Sequence, residues 1–248
     1  MGIVKSQNQI EQMDISGSIA CSILKQVAEN AVAGTTTQEL NDIAVDLIKQ
    51  HKVEPGFLNY GGFPAVLCTS VNETIVHGLP SQYALKDGDT IGLDFGVVYK
   101  GWYSDTAITV GVGEVSHEAK RIMQVCKKAL RLGIKKAKIG STTGDIGNTI
   151  QRFVEGEGYS VVRELVGHGV GTQLHEDPQV PNYGTRHSGT VLKQGMVVAI
   201  EPMIIDGPPN IKLDKDGFGY ISTGRHLTAH FEHTVAILKA GPKILTQE

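Results

Sequence analysis

The sequence predicts an α+β fold in which helices combine with one sheet. Two observations support this prediction. Four long segments repeat apolar residues at helical spacing, and short runs rich in β-branched residues alternate with Gly, Pro and Asn. Of the 248 residues, 40% are apolar, which suffices for a packed core, and no linker or low-complexity stretch divides the chain. We therefore expect one domain over residues 1–248.

The helices are predicted at residues 7–30, 37–51, 116–138 and 141–157. In the first, Ile10, Met13 and Ile23 are among the apolar residues that recur at helical spacing. Before the second, Thr36 is followed three residues later by Glu39, which is the capping-box pattern of a helix start. The apolar spacing predicts that each helix buries one face against the sheet.

A short internal repeat precedes the second and fourth helices. Residues 34–40 (GTTTQEL) resemble residues 140–146 (GSTTGDI), and each stretch follows a long helix and leads into a shorter one. The repeat predicts two structurally related halves around one sheet. Two helices with independently acquired, similar N-caps would leave the same trace, so both interpretations stay open at this point.

Strands are predicted within residues 65–71, 90–99, 103–112, 159–165, 196–204 and 230–238. These runs are rich in β-branched residues and are bounded by turn-forming residues.

The composition excludes several classes of protein. The net charge of -3 implies no strong attraction to nucleic acid or acidic lipid, and no specific nucleic-acid motif is present. Cys21, Cys68 and Cys126 are far apart and odd in number, so they predict neither a disulfide framework nor a thiolate metal site. No segment has the apolar core of a signal peptide or the length of a membrane span. We expect a soluble, cytoplasmic protein.

Asp94 and Asp105 lie on two strands that are predicted to form a hairpin. If the turn is centred between Tyr99 and Lys100, residues whose numbers sum to 199 face each other, and these aspartates are such a pair. Their Cβ atoms would then be about 4.5–5.5 Å apart on one face. Two carboxylates among apolar neighbours repel, and burial raises the pKa of at least one. A divalent cation between them is one interpretation, and a solvent-facing pair is the other.

Three further side chains have metal-binding chemistry. His168 lies between glycines that would let the backbone pack beside its ring, Glu201 lies within an apolar predicted strand, and Glu232 lies in another. Taken singly, each has an ordinary structural interpretation: a core histidine, a paired carboxylate or an edge-strand glutamate facing water. Together with the two aspartates they form a hard, oxygen-rich ligand set.

These residues occur in longer motifs, which read VNETIVHGLP, GLDFGVVYKGWYSDTA, VGHGVGTQLHEDPQVPNYG, GMVVAIEPM and HFEHTVAI. The motifs resemble those of the type I methionine aminopeptidases, which are M24 metallopeptidases, and the resemblance extends over nearly the whole chain. It implies the pita-bread fold, in which an antiparallel sheet is flanked by helices and whose pseudo-two-fold related halves would explain the internal repeat. It also implies removal of the initiator methionine from nascent proteins with a small second residue.

The resemblance implies a role for each metal-binding candidate. Two divalent ions (Co, Mn, Fe(II) or Zn) would be held by Asp94, Asp105, His168, Glu201 and Glu232. Asp105 and Glu232 would bridge both ions. A water activated by the ions would attack the peptide bond, and Glu201 would carry its proton toward the leaving amine.

Two histidines at motif positions have implied catalytic roles outside the metal shell. His77 would lie near the scissile amide, and His175 would hydrogen-bond the substrate carbonyl and the tetrahedral intermediate. His233 follows Glu232 directly, so it is expected on the opposite side of the strand in a structural role.

An apolar pocket for the methionine side chain is implied at Phe57, Tyr60, Phe63, Cys68, Leu174 and Phe218. An aromatic and thiol lining suits a polarizable thioether. Gly61 stands where some members carry His, and Phe218 where some carry Trp. These departures affect the expected substrate preference and leave the expected reaction unchanged.

Two rival functions are weighed against this one. Prolidases and Xaa-Pro aminopeptidases share the fold and a similar ligand set, but usually carry an N-terminal domain before the catalytic unit. A non-catalytic pita-bread binding module would have lost ligands, and here all five are present.

The expected partners are nascent polypeptide N-termini and the ribosome, and the chain is expected to be a monomer. The start Met1-Gly2 would itself suit such an enzyme.

Overall fold

The computed structural model describes residues 4–247, so the Met1-Gly2 start lies outside the described residues. Within this range the α-helices are α1 (Gln7–Glu29), α2 (Thr37–His51), α3 (His117–Lys136) and α4 (Thr143–Gly156). All four predicted helices are confirmed, with ends that differ from the prediction by two residues at most. Residues 1–248 as one catalytic domain stay a prediction.

The strands are β1 (Glu54–Pro55), β2 (Leu67–Val71), β3 (Thr74–Val76), β4 (Thr90–Tyr99), β5 (Trp102–Gly111), β6 (Ser160–Val161), β7 (Gly167–Gly169), β8 (Glu176–Val180), β9 (Val197–Ile200), β10 (Met203–Ile205), β11 (Ile211–Leu213), β12 (Tyr220–Ser222), β13 (Thr228–His230), β14 (Glu232–Leu238) and β15 (Gly241–Ile244). One sheet has the order β1-β4-β5-β14-β9-β7-β8, with β2 also on β4 and β15 on β14. Two smaller sheets have the orders β13-β10-β6 and β11-β12-β3. Every assigned pair is antiparallel, so the predicted α+β fold with an antiparallel sheet is confirmed.

The helices cover the main sheet as two pairs, and each pair buries its own apolar cluster. Leu40 of α2 and Phe95 of β4 belong to the cluster beneath α1 and α2. Ile150 of α4 and Val235 of β14 belong to the cluster beneath α3 and α4. Strands β5 and β14 pair with each other and join the two halves at the centre of the sheet.

Matching hydrogen bonds relate the two halves. Both α2 and α4 begin with a complete capping box. Before α2, Gly34 N donates to Leu85 O at 2.8 Å, and before α4, Gly140 N donates to Leu192 O at 3.0 Å. Since the same loop is fixed by the same contact in both halves, these bonds favour related halves over independent N-caps.

The predicted register of the β4–β5 hairpin is wrong by two residues. Tyr99 faces Trp102, so the facing residues sum to 201, Asp94 faces Ala107 and Asp105 faces Gly96. The turn consists of Lys100 and Gly101, both with positive φ (50° and 79°), which is the two-residue turn that matches strand twist. A shift of two residues preserves the face, so both carboxylates still point the same way.

The predicted strand 196–204 is interrupted at Glu201, and the predicted strand 230–238 is interrupted at Phe231, directly before Glu232. Glu201 lies just after β9 and before β10, and these strands belong to different sheets. Pro202 follows it, and because proline has no N–H to donate, the run cannot continue as one paired strand. Glu232 begins β14, which lies between β5 and β9, and it is 2% exposed. The edge-strand interpretation of Glu232 is therefore wrong.

No helix of residues 4–247 is both long enough and apolar enough to cross a membrane.

Candidate metal centre

A cavity of about 430 Å³ opens beside the centre of the main sheet. It is lined by every residue predicted to bind metal, act in catalysis or form the methionine pocket. They are Phe57, Tyr60, Phe63, Cys68, His77, Asp94, Asp105, His168, Leu174, His175, Glu201, Phe218 and Glu232. The volume falls within the range of small-molecule sites.

The five candidate ligands converge from both halves of the molecule. Asp94 and Asp105 come from β4 and β5, Glu232 from the start of β14, His168 from β7 and Glu201 from the end of β9. Ligand atoms of Asp105, His168 and Glu232 all lie within 4.8 Å of one another. His168 Nε2 is 3.5 Å from Glu201 Oε1 and 3.8 Å from Asp105 Oδ2.

Several carboxylate oxygens in this group are buried without a partner. Asp94 Oδ1, Asp105 Oδ1 and Glu232 Oε1 make no hydrogen bond within the described part of the chain. Burial is the main cause that raises the pKa of Asp94 to about 7 and the pKa values of Asp105 and Glu232 well above the usual range, and neighbouring carboxylates add to it. Buried carboxylates are stable when paired or bound to a cation. The donor set and its orphaned oxygens fit hard divalent ions.

Glu201 differs from the other carboxylates because imidazoles surround it. Burial alone would raise its pKa, but His230 and His168 outweigh that effect and hold the pKa below the usual value. His230 Nε2 lies 3.4 Å from Glu201 Oε2 and has no hydrogen-bond partner among the described residues. Sequence reasoning missed His230. In an extended chain, side chains alternate between two faces, so His233 points away from Glu232 while His230, two residues before Glu232, is expected on the same face. This alternation could have identified His230 from the sequence.

The glycines around His168 have a different role from the predicted one. A Cβ at Gly167 would lie 2.4 Å from Ala199 O, and a Cβ at Gly169 would lie 2.3 Å from Asp177 O. These atoms belong to neighbouring backbone rather than to the imidazole. The glycines therefore let β7 pack closely against adjacent strands, and this packing sets the position of His168.

His77 and His175 stand at the open side of the cavity. His77 has φ of 56°, which is rare for a residue with a side chain and is typical of functional sites. His175 packs edge-on against His168, with ring centroids 4.1 Å apart, and its Nδ1 lies 2.6 Å from the hydroxyl of Tyr60. Burial lowers the pKa of both histidines, that of His175 to about 4, so both are neutral at pH 7.

The apolar wall of the cavity comes mainly from the first half. Phe57, Phe63, Cys68 and Leu174 form one buried cluster, and Phe218 packs edge-on against Phe63 with centroids 5.6 Å apart. Burial raises the pKa of Cys68 well above its usual value, so its side chain is a neutral thiol.

Some lining residues were absent from the sequence prediction. The cavity also contacts Val76, Leu165 and Met203, which read in the sequence as ordinary apolar strand residues. Gly61 lines the cavity with φ of 55°, and a Cβ there would meet nothing within 4 Å, so a larger residue has space but an unfavourable backbone.

Comparison with known proteins gives a consistent set of relatives. The protein-family model described as "Metallopeptidase family M24" matches residues 11–239 of the chain. The methionine aminopeptidase of Clostridium perfringens is 45% identical and aligns over 99% of both chains. Methionine aminopeptidase 1 of Bacillus subtilis is 41% identical over 100% of both chains.

Solved structures give the same result at the level of the fold. The crystal structure of methionine aminopeptidase from Thermotoga maritima has a TM-score of 0.98 and 40% identity, covering 100% of both chains. The prolidase from Pyrococcus horikoshii has a TM-score of 0.82 and 25% identity, and the similarity covers 100% of this chain but 64% of the prolidase.

The raised pKa values predict that metal binding near pH 7 releases protons. In the metal-free protein the pKa of Asp94 is about 7, and burial also raises the pKa values of Asp105 and Glu232, so a bound metal must displace protons from this group. Because these folded-state pKa values exceed those of the unfolded chain, the metal-free protein loses stability as pH rises from about 4 to 7. Calorimetric titration with Mn²⁺ in two buffers of different ionisation enthalpy measures the release. Identical heats in both buffers would contradict it.

Proposed function

The chain belongs to metallopeptidase family M24 and has its pita-bread fold, and on this premise we propose that it removes the initiator methionine from nascent polypeptides as a methionine aminopeptidase. The observation that carries the proposal is the position of the buried carboxylates. Unpaired oxygens of Asp94, Asp105 and Glu232 lie in the same cavity as an aromatic and thiol wall. One end of the cavity suits divalent cations, and the other suits a thioether.

We assign two divalent ions to Asp94, Asp105, His168, Glu201 and Glu232. Four carboxylates balance the charge of two such ions, and hard oxygen ligands suit Mn, Fe(II), Co or Zn. When bound, such ions lower the pKa of a water toward neutrality and polarise a peptide carbonyl. Ligand atoms of Asp105, Glu232 and His168 lie within 4.8 Å of one another, so these three side chains are close enough to share one ion.

Glu201 has the properties of a proton carrier. Its lowered pKa keeps it ionised at neutral pH, whereas burial raises the pKa values of the other three carboxylates. An ionised carboxylate accepts a proton from the attacking water and delivers it to the leaving amine. His230, 3.4 Å away, holds the carboxylate in its ionised form.

His175 supplies a hydrogen-bond donor to the substrate carbonyl. Its pKa of about 4 makes the ring neutral, so one nitrogen donates and the other accepts. The Tyr60 hydroxyl lies 2.6 Å from Nδ1, and we assign the phenol as donor because phenols donate readily. Nδ1 is then the acceptor, which leaves the proton on Nε2, where it can stabilise negative charge on the carbonyl oxygen. His77, on the same open side, faces the scissile amide.

The apolar wall selects the first residue of the substrate. The rings of Phe63 and Phe218 and the thiol of Cys68 offer contacts that favour a methionine side chain. A substrate amine then approaches the carboxylate cluster, while the second residue lies toward the opening. A small second residue fits this opening beside His77 and His175.

The likeness to a prolidase supplies the alternative function, cleavage of Xaa-Pro bonds. It is weaker in identity, and it covers a smaller share of the relative. A binding module without activity is the other alternative, and the complete ligand set argues against it.

Peptide assays separate these functions. We expect release of methionine from Met-Ala-Ser after addition of Mn²⁺, Fe(II) or Co²⁺ under anaerobic conditions, and loss of release with a chelator. Ala-Pro and Gly-Pro peptides should be cleaved far more slowly, because their small first residues do not fill the apolar wall that selects methionine. Faster cleavage of the proline peptides would favour the prolidase alternative, and no cleavage with any metal would favour the binding module.

Variants of Glu201 and His175 distinguish a loss of activity that comes with weaker metal binding from a loss of kcat alone. Glu201→Ala should abolish turnover and also weaken Mn²⁺ binding. His175→Ala should lower kcat by about 10²–10³ while KM changes little, because its donor acts on developing charge. His51→Ala, an exposed histidine at the end of α2, is the control and should leave kcat unchanged. A His175→Ala enzyme with normal kcat would show that the role assigned to His175 is wrong.

A further inference from the structure

A buried ion pair joins the beginning of the chain to the loop that carries His175. Lys5 Nζ lies 2.9 Å from Glu176 Oε2, and the two side chains are 1% and 3% exposed. The residues are 171 positions apart in the sequence. Neither side chain is among those that line the main cavity, so neither reaches a substrate there.

The carboxylate of Glu176 also holds the preceding loop together. Its Oε1 accepts hydrogen bonds from the backbone N–H of Thr172 at 2.8 Å and of Gln173 at 3.2 Å. A Cβ at Gly171 would lie 2.4 Å from this oxygen, so the carboxylate fits closely against the loop backbone. One oxygen therefore closes the loop, and the other binds Lys5.

The same loop places two residues of the candidate site. Leu174 is 3% exposed in the apolar wall, and His175 packs against His168 while it contacts Tyr60. Glu176 follows His175 directly. A displacement of its carboxylate would therefore move His175 relative to the ligand His168.

Backbone contacts with neighbouring segments fix the position of Lys5. Its backbone N–H donates to Gly195 O at 2.8 Å, and the next residue, Ser6, caps α1 in a complete capping box. A Cβ at Gly195 would lie 2.6 Å from Lys5 O, so the close approach requires glycine at this position with φ of 86°. Gly195 precedes β9, the strand that ends before Glu201.

Stability alone gives a weak reason for such a pair. Removing a lysine and a carboxylate from water carries a large desolvation cost, and apolar replacement of a buried pair is often neutral or stabilising. Burial lowers the pKa of Lys5, although Glu176 opposes that effect. What the pair supplies is a fixed geometry between α1, the segment before β9 and the His175 loop.

We propose that Lys5 and Glu176 are positioning residues for His175: their ion pair fixes the loop 171–176 so that His175 meets both Tyr60 and the substrate carbonyl. The inference rests on the proposed function for the role of His175, while the position of its ring can be measured without turnover.

The test uses two double variants of the full chain. Lys5→Met with Glu176→Met removes both charges and the acceptor for the loop amides. Lys5→Met with Glu176→Gln removes the charges but keeps a side-chain oxygen for Thr172 and Gln173. The matched control is Lys243→Met with Asp14→Asn, which removes an ion pair of 2.7 Å that also ties α1 to a distant segment but is partly exposed.

For the methionine double variant we expect kcat on Met-Ala-Ser to fall about 10–100-fold, since a misplacement of about 1 Å can cost this much. KM and Mn²⁺ affinity should stay within about threefold, because the ligands and the apolar wall remain. The ¹⁵N signals of the His175 imidazole should shift as its contact with Tyr60 is lost, and the amides of Thr172 and Gln173 should exchange faster. The glutamine double variant should show smaller changes of the same kind, and the control none.

Unchanged kcat and unchanged His175 signals in the methionine double variant would overturn the proposal. So would a parallel fall of kcat, Mn²⁺ affinity and secondary structure, which indicates general damage. If that variant does not fold, the glutamine variant decides by the same signals. If the wild-type chain releases no methionine, the proposed function fails, whereas the ¹⁵N and exchange measurements still test whether the pair positions His175.

Discussion

The repulsion among buried carboxylates at the centre of the sheet is the constraint on which the site depends. Asp94, Asp105 and Glu232 are at most 8% exposed, and each has an oxygen without a hydrogen-bond partner among the described residues. Such groups are costly unless protonated or bound to cations. The fold brings them together because β4, β5 and β14 are neighbours across the junction of the two halves. Metal ions bound at this junction would relieve the repulsion between the carboxylates and would also supply the chemistry of the site.

The relation between the halves explains the positions of two ligands. Leu85 begins the stretch LKDGD in one half, and Leu192 begins LKQGM in the other. Asp94 and Glu201 follow these leucines at the same spacing of nine residues, and both leucine carbonyls accept equivalent hydrogen bonds. This second repeat accompanies the helix repeat in the sequence, and its spacing alone pairs the two carboxylates.

Helix positions, the longer strands and the face of the aspartates could be predicted because each depends on local spacing, whereas short strands such as β3, β7, β8 and β15 carry no such pattern and were missed. The hairpin register could not be fixed from the pattern alone, because the apolar alternation is equally compatible with a register shifted by two residues. The prediction that both aspartates share one face was still correct, because the side-chain period of a strand is two residues. Glu201 was misplaced within a strand because an apolar run conceals the break that Pro202 causes. The pairing of Lys5 with Glu176 depends on how the chain folds over 171 positions, and no local pattern reports it.

The central claim is that the carboxylates and His168 together hold divalent ions. Crystals of the protein grown with Mn²⁺ and measured on both sides of the manganese absorption edge test it most directly. The account predicts two anomalous peaks within the cluster of Asp94, Asp105, His168, Glu201 and Glu232, and loss of occupancy in an Asp105→Ala variant. Full-occupancy manganese elsewhere on the chain, with no anomalous signal between these side chains, would contradict it.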